Sequence, residues 1–493
     1  MAAKRITRRE MLKLSGTTVL GTLLAACAAP ATPTPVPAPT KAPAAPAPTQ
    51  PPPTKAPEPT KAPEPTKPPE PTKAPAPTAA PTVKVPSGTV VVMANKGELS
   101  DAQMQQFMKD NPNIKIEFVQ YDNTRMMAMF AAGSPPDIIR TQAPMIPQFL
   151  ARKLILDLTP YFQSSTVIKV SDLQEANKYY WADSPLKIGS GKIYGMCKDF
   201  SPDFTLYAYT KAFDDAKVPV PSAAKPLTYA EVADLAAKVS KIQGNRITMF
   251  GYGLADSWID RIWMNCLAEK GLSLFTPNFD QIVLNTDDAK ALVKYYVDLA
   301  EKRIVASPTD PSPNGYSGAD FQAGIVGLTQ WGYWFQAGAE TDVTRGKVVM
   351  LPAPTWTGKR LDPTMTSTGW VVSAATKVPD AAWKVFEWYM AGQPAIDRGK
   401  SGWGVPALKS QMNLLPQATD FQKSTYKILQ DELALNTPPL QFNPFIGENV
   451  VSNAYNKYLD QYLKKQVSFD DLIKGITTEV NQAIKDGIAA TLR

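Results

Sequence analysis

"TVVVMANKGELSDAQMQQFMKDNPNIKIEFV", residues 89–119, decides the fold. Thr89 to Ala94 form a β-branched run of the kind found in buried strands, and Ser100 stands where it can cap a helix burying Met104, Phe107 and Met108. From Ile114 the period changes to two, with Ile114, Ile116 and Phe118 on one face. Strand, helix and strand in so short a span predict a β–α–β unit, and hence a parallel sheet with helices on both sides.

The same pattern continues along the chain. "TYAEVADLAAKVSK" opens on a capping box of Thr228 and Glu231 and presents Val232, Leu235, Ala236 and Val239 as a helical stripe. "DDAKALVKYYVDLAEK" and "PDAAWKVFEWYMAG" are helices by the same reasoning, and "ITMFGYG", "AGIVGLTQ", "KVVMLPA" and "GWVVSAA" are strands. Roughly 400 residues of α/β pattern exceed what a single core usually holds, so two lobes are expected.

Before this region the composition is different. Of the 493 residues 47 are proline, and they crowd between Pro30 and Pro86, where "APEPTK" recurs. Such a tract favours extended polyproline II backbone and has almost nothing apolar to bury, so residues 27–87 read as a linker. The net charge of +7 is accounted for outside the α/β region: Lys4, Arg5, Arg8, Arg9 and Lys13 against Glu10, then six lysines against three glutamates in the linker. A near-neutral remainder offers no basic groove, and a nucleic-acid partner is not expected.

Residues 1–26 have the basic head and short apolar run of an export signal. "TRREMLK" resembles the twin-arginine signature, and "LAAC" resembles the bacterial lipoprotein box, which implies lipidation of Cys27 and a soluble domain held to the outer face of the cell membrane. Cys197 and Cys266 remain, and their spacing leaves open whether they form a disulfide or stay as two buried thiols.

From Gly88 to Arg493 the order of motifs resembles the extracellular solute-binding proteins of ABC importers, the family of maltose-binding-like sugar receptors. "AAGSPPDII" is similar to a segment of that family, "GKIYGMCKDFSPDFTLYAYTKAFDDA" to its crossover between lobes, and "FQAGIVGLTQWGYW" and "GWGVPALKS" to later motifs. Thr210 and Cys197 depart from the family's usual asparagine and proline. The resemblance implies an α/β, two-lobe periplasmic-binding-protein fold of type II with a hinge and an interlobe cleft. Lobe one would combine residues 88–196 with 357–395, and lobe two 198–354 with 403–493. It also implies a small-molecule solute, a carbohydrate by family, as ligand, ABC permease subunits as partners, no metal and no cofactor.

A neutral sugar presents hydroxyls at its edge and C–H faces above and below, so its site needs polar groups at the rim and flat aromatic faces. Family placement makes Trp331 a stacking platform, with Trp258 and Asp256 on a second cleft loop. Trp370 follows Gly369, whose missing side chain would let backbone approach a ligand. For Trp331 and Trp370 the competing role is core packing. Polar candidates stand where strands end: Asn95 and Glu98, Thr141 and Gln142, and Asp203 before the crossover strand. Each carboxylate competes with a plain helix cap or solvated loop. Trp334, Trp356 and Trp403 are weaker candidates, and Trp263, Trp383 and Trp388 are assigned to packing.

The chain has no histidine, which removes Ser-His-Asp triads and imidazole bases. A glycosidase needs only two carboxylates, but no acidic pair here lies in a glycosidase-like context. Tyr295 and Tyr296 suggest a ferric-complex receptor of the same fold, yet adjacent helical positions point their side chains about 100° apart. Polyamine and peptide receptors of the same fold remain as alternatives to a sugar receptor.

Overall fold

The computed structural model describes residues 85–254 and 258–491. The chain divides into two units, Met1–Ala80 and Pro81–Arg493, and the described residues all lie in the second. The leader, Cys27, almost all of the linker and Asp256 lie outside the described residues.

Among the described residues the strands are β1 (Gly88–Ala94), β2 (Ile114–Gln120), β3 (Ile138–Thr141), β4 (Trp181–Ser184), β5 (Lys187–Ile193), β6 (Gly195–Cys197) and β7 (Asp199–Phe200). There follow β8 (Leu206–Tyr209), β9 (Lys241–Gln243), β10 (Arg246–Gly253), β11 (Val326–Gln330), β12 (Val348–Leu351), β13 (Gly369–Val372) and β14 (Val405–Pro406). Two five-stranded sheets result, ordered β2-β1-β3-β13-β6 and β12-β8-β11-β10-β9, one at the centre of each lobe.

The opening unit folds as its pattern requires. Ser100 closes a capping box with Gln103 on the helix Asp101–Asp110, which buries Met104 and Phe107, while Met108 and Phe118 stay half-buried. Strand β1 pairs in parallel with β2 and β3. The sheet as a whole is mixed, however: β13 runs antiparallel to both β3 and β6. The reason is topological, because β13 comes in from the second sheet's side of the chain, after β12, and inserts between strands laid down earlier.

In the second lobe the Thr228–Glu231 capping box forms as expected, and the helix Tyr229–Val239 sets Val232, Ala236 and Val239 against the sheet. It sits so close that a Cβ on Gly251 would meet the Ala236 carbonyl oxygen at 2.0 Å. Tyr296 is buried and Tyr295 donates to the Tyr229 carbonyl at 2.7 Å, so both tyrosines serve packing. Trp263 and Trp383 are likewise buried and Trp388 half-buried. Cys197 and Cys266 are separate, buried, free thiols. No helix among the described residues is long and apolar enough to cross a membrane.

Candidate functional site

Strand ends and the segments crossing between the sheets converge on a cavity of about 270 Å³. The loop after β1 supplies Asn95 and Glu98, the end of β3 supplies Arg140 and Gln142, and the chain leaving β6 supplies Lys198, Asp199, Phe200 and Ser201. Thr366 and Thr368 come from the approach to β13. The same cavity is lined by Trp258, Trp334 and Trp403, from three separate stretches of the chain.

The polar wall is a network of paired charges. Arg140 donates from Nε to both Glu98 oxygens, at 3.4 and 3.3 Å, and lies over the Tyr121 ring at 5.3 Å. Lys198, its side chain only 3% exposed, is 3.6 Å from Glu98 Oε1 and in contact with Asp199. Burial works to raise the Glu98 carboxyl, but Lys198 and Arg140 outweigh it and hold the carboxyl below its ordinary range. Burial pulls the Lys198 ammonium down, and Asp199 and Glu98 more than restore it. Two cations therefore face two carboxylates, and the wall is close to neutral while keeping its hydrogen-bonding groups fixed. Gln142 Nε2 is 3.5 Å from Thr368 Oγ1, and Asn95 Oδ1 accepts from Gln120 at 3.2 Å, which orients both amides.

The aromatic wall is layered. Trp403 is 53% exposed at the rim, with its ring 5.8 Å from that of Trp334. Trp258 and Trp334 are half-buried, and behind them Trp331, only 6% exposed, meets both in edge contacts at 5.5 Å. Trp258 also covers the guanidinium of Arg261 at 5.2 Å.

Of the sequence candidates, Asn95, Glu98, Gln142 and Trp258 line the cavity. Trp331 stands one layer back, as the support of two lining rings. Trp370 is placed in the core: it is fully buried and stacks on Tyr389 at 3.7 Å, nearly parallel. Gly369 does admit a close approach, but the approaching group is protein, since a Cβ there would meet the Met196 carbonyl oxygen at 2.1 Å. Thr141 is buried on β3, where its carbonyl accepts from Tyr180. Asp203 is buried too, accepting from Ser201 Oγ at 2.5 Å, Thr364 Oγ1 at 2.9 Å and Met365 N at 2.6 Å, which makes it a tie between crossing segments.

Sequence reasoning passed over Arg140, Lys198 and Asp199, and ranked Trp334 and Trp403 low. A signal for Arg140 was present, because side chains two apart on a strand share a face, so Gln142 implicates Arg140 and not Thr141. Among the described residues no group of three or more cysteines, aspartates and glutamates is placed to hold a metal ion.

Two mixed sheets joined by crossing segments, with a polar and aromatic cleft where those segments meet, define a two-lobe receptor of small solutes. The chain belongs to the bacterial extracellular solute-binding protein family, whose family model matches residues 92–391. Among curated proteins none matches the sequence. Solved structures share the fold at low identity. The ABC substrate-binding protein Lmo0181 from Listeria monocytogenes, in complex with cycloalternan, is 19% identical with a TM-score of 0.66, over 80% of this chain and 98% of its own. A solute-binding protein of an ABC transporter from Thermotoga lettingae, bound with α-D-tagatose, is 16% identical with a TM-score of 0.63, over 80% and 99%. The maltose-bound T. maritima MalE3 is 17% identical with a TM-score of 0.61, over 79% and 98%.

Proposed function

We propose that the chain is the extracytoplasmic receptor of an ABC importer, that it takes a sugar or short oligosaccharide into the cleft, and that it delivers it to a membrane permease. The observation that carries this reading is the pairing of a charge-balanced polar wall with three converging indoles, Trp258, Trp334 and Trp403. A net-neutral wall gives no attraction to an ionic solute, whereas fixed carboxylate, ammonium, guanidinium and amide groups match a ring of hydroxyls. Indole faces match the C–H faces of the same ring. The sugars in the related complexes agree with this chemistry.

In this reading the ligand bridges walls that belong to different lobes. It therefore favours whichever arrangement brings the walls together, and binding shifts an open–closed equilibrium by its differential affinity for the two. Function is capture and release, with no bond made or broken. By the same proposal, acyl chains on Cys27 and the proline-rich linker tether the receptor at the membrane; Cys27→Ser releases it from the membrane fraction. A thermal-shift screen with saccharides, amino acids, polyamines and ferric chelates tests the ligand class. The expected result is stabilisation by a saccharide, and a response to a non-sugar alone refutes the assignment.

A further inference from the structure

Behind the crossing segments, on the other side of Phe200 and Ser201 from the cleft, lies a second cavity of about 240 Å³. Two carboxyl groups at its wall are almost wholly buried: Asp362, 5% exposed, and Glu432, 1% exposed. Asp362 lies on the segment running from β12 to β13, and Glu432 on the helix Asp420–Leu433.

Each carboxyl has one oxygen engaged and one without a partner. Asp362 Oδ1 accepts from the Phe204 amide of the other crossing segment at 2.8 Å, and Glu432 Oε1 is paired with Arg360. Asp362 Oδ2 and Glu432 Oε2 have no donor. The two side chains lie within hydrogen-bond reach of each other. Two buried carboxylates with unpaired oxygens that close repel strongly, while an acid and a carboxylate form a strong charge-assisted bond.

We propose that Asp362 and Glu432 share one proton, held as an Asp362 O–H donating to Glu432, and that this bond fastens the helix Asp420–Leu433 to the crossing segments as a pH-sensitive clasp on the hinge. The assignment of the proton follows from the surroundings. Arg360 opposes the burial that raises the Glu432 carboxyl, whereas the buried carboxyl Asp203 adds a second like charge that raises Asp362 further. The remaining titratable groups are the Tyr179 hydroxyl, which donates to the Thr364 carbonyl and accepts from Leu440 N, and Glu175 and Lys409 around the cavity. The Arg261 guanidinium works against the burial that raises the Tyr179 hydroxyl. Burial and the like charge of Glu432 push the Asp362 carboxyl well above its ordinary range, in agreement with this arrangement. The clasp joins three parts of the hinge, because Asp362 N also donates to Thr437 Oγ1 at 3.0 Å and Asp203 ties Pro363 to Met365 against its own segment.

A carboxyl that holds its proton more tightly when folded contributes stability that is full below the ordinary carboxylate range and is lost as pH rises toward the folded-state value. The test is urea unfolding of the purified protein between pH 4 and pH 9, for wild type, Asp362→Asn and Glu432→Gln. In Asp362→Asn the amide oxygen still accepts from Phe204 and the amide N–H donates to Glu432, so the bond has no proton to lose. The expected result is that the wild-type unfolding constant rises relative to the Asn variant by up to about tenfold per pH unit within the window. Glu432→Gln removes the like charge and lowers the folded-state value of Asp362, so its pH-dependent loss begins in the same range as in wild type but is complete at lower pH. Infrared spectra of the wild type show a protonated-carboxyl band at neutral pH that is missing from Asp362→Asn. If wild type and Asp362→Asn have parallel pH profiles, the proposal fails. Should the Asn variant not fold, a Glu432→Gln profile coincident with wild type refutes it equally.

Discussion

Trp403→Ala isolates the aromatic half of the site with little cost to the fold. The ring is 53% exposed and its nearest aromatic neighbour, Trp334, is 5.8 Å away and tilted by 40°, so its outer face is available to a ligand. A tryptophan side chain presents roughly 150–250 Å² for burial, and half of it is already covered here. A sugar stacked on the free face removes on the order of 50–80 Å² of apolar surface from water, which at ~25 cal/mol/Å² is about 1–2 kcal/mol. The expected loss of affinity is about five- to thirtyfold. Titration calorimetry with the saccharide that stabilises the wild type measures it, and urea unfolding of the unliganded variant serves as the control. A dissociation constant within twofold of wild type refutes stacking at this ring. A large fall in the unliganded stability shows instead that the ring packs the fold.

Three further substitutions probe the other parts of the argument. Glu98→Gln leaves Arg140 and Lys198 short of a counter-charge at the cleft wall, and is expected to weaken saccharide binding by about ten- to a hundredfold, the worth of a charged hydrogen bond; calorimetry reads it. Trp370→Ala vacates a core position stacked on Tyr389, so it lowers unfolding stability by about 3–5 kcal/mol without touching the cleft. Asp260, pushed up to about 6 by burial that Arg261 only partly offsets, contributes stability that falls as pH rises from the ordinary carboxylate range through 6; Asp260→Asn flattens that part of the urea-unfolding profile.

The elements of this fold were legible because each carries its own local signal. Ser100 and Thr228 announce helix starts through capping boxes, and the alternation of Ile114 and Ile116 gives one strand its buried face. The antiparallel entry of β13 was not legible, since nothing within "GWVV" encodes which strands will flank it. The site divides along the same line. Asn95 and Glu98 were named because they follow a strand, and both line the cavity at the strand ends. Trp370 was put forward because it follows Gly369, and Asp203 because it precedes a strand; neither ground separates a ring that faces a ligand from one that faces Tyr389, or a carboxylate that meets hydroxyls from one that ties Ser201, Thr364 and Met365 together. Lys198 and Arg140 were hidden for a different reason: their charge is neutralised by Glu98, and that pairing spans 42 residues of sequence in one case and 100 in the other.

The crossing segment Lys198–Asp203 joins the two cavities, which makes the cleft and the hinge parts of one device. Its first residues, Lys198 to Ser201, line the cleft, while Ser201 and Pro202 also line the cavity behind. Ser201 is the link, because its hydroxyl donates to Asp203, the carboxyl that holds the other crossing segment through Thr364 and Met365. Ser201→Ala therefore tests whether closure and ligand contact are mechanically joined. It removes one hydrogen bond from a buried carboxyl that keeps two others, a loss of about 1–3 kcal/mol in unfolding stability. If the segment acts as a unit, the loosened backbone also displaces Lys198 and Asp199, and saccharide affinity falls with stability by about threefold or more. Unfolding and calorimetry on the same preparation decide it: stability reduced as expected with affinity unchanged shows that the hinge tie and the cleft wall, although adjacent in sequence, act independently.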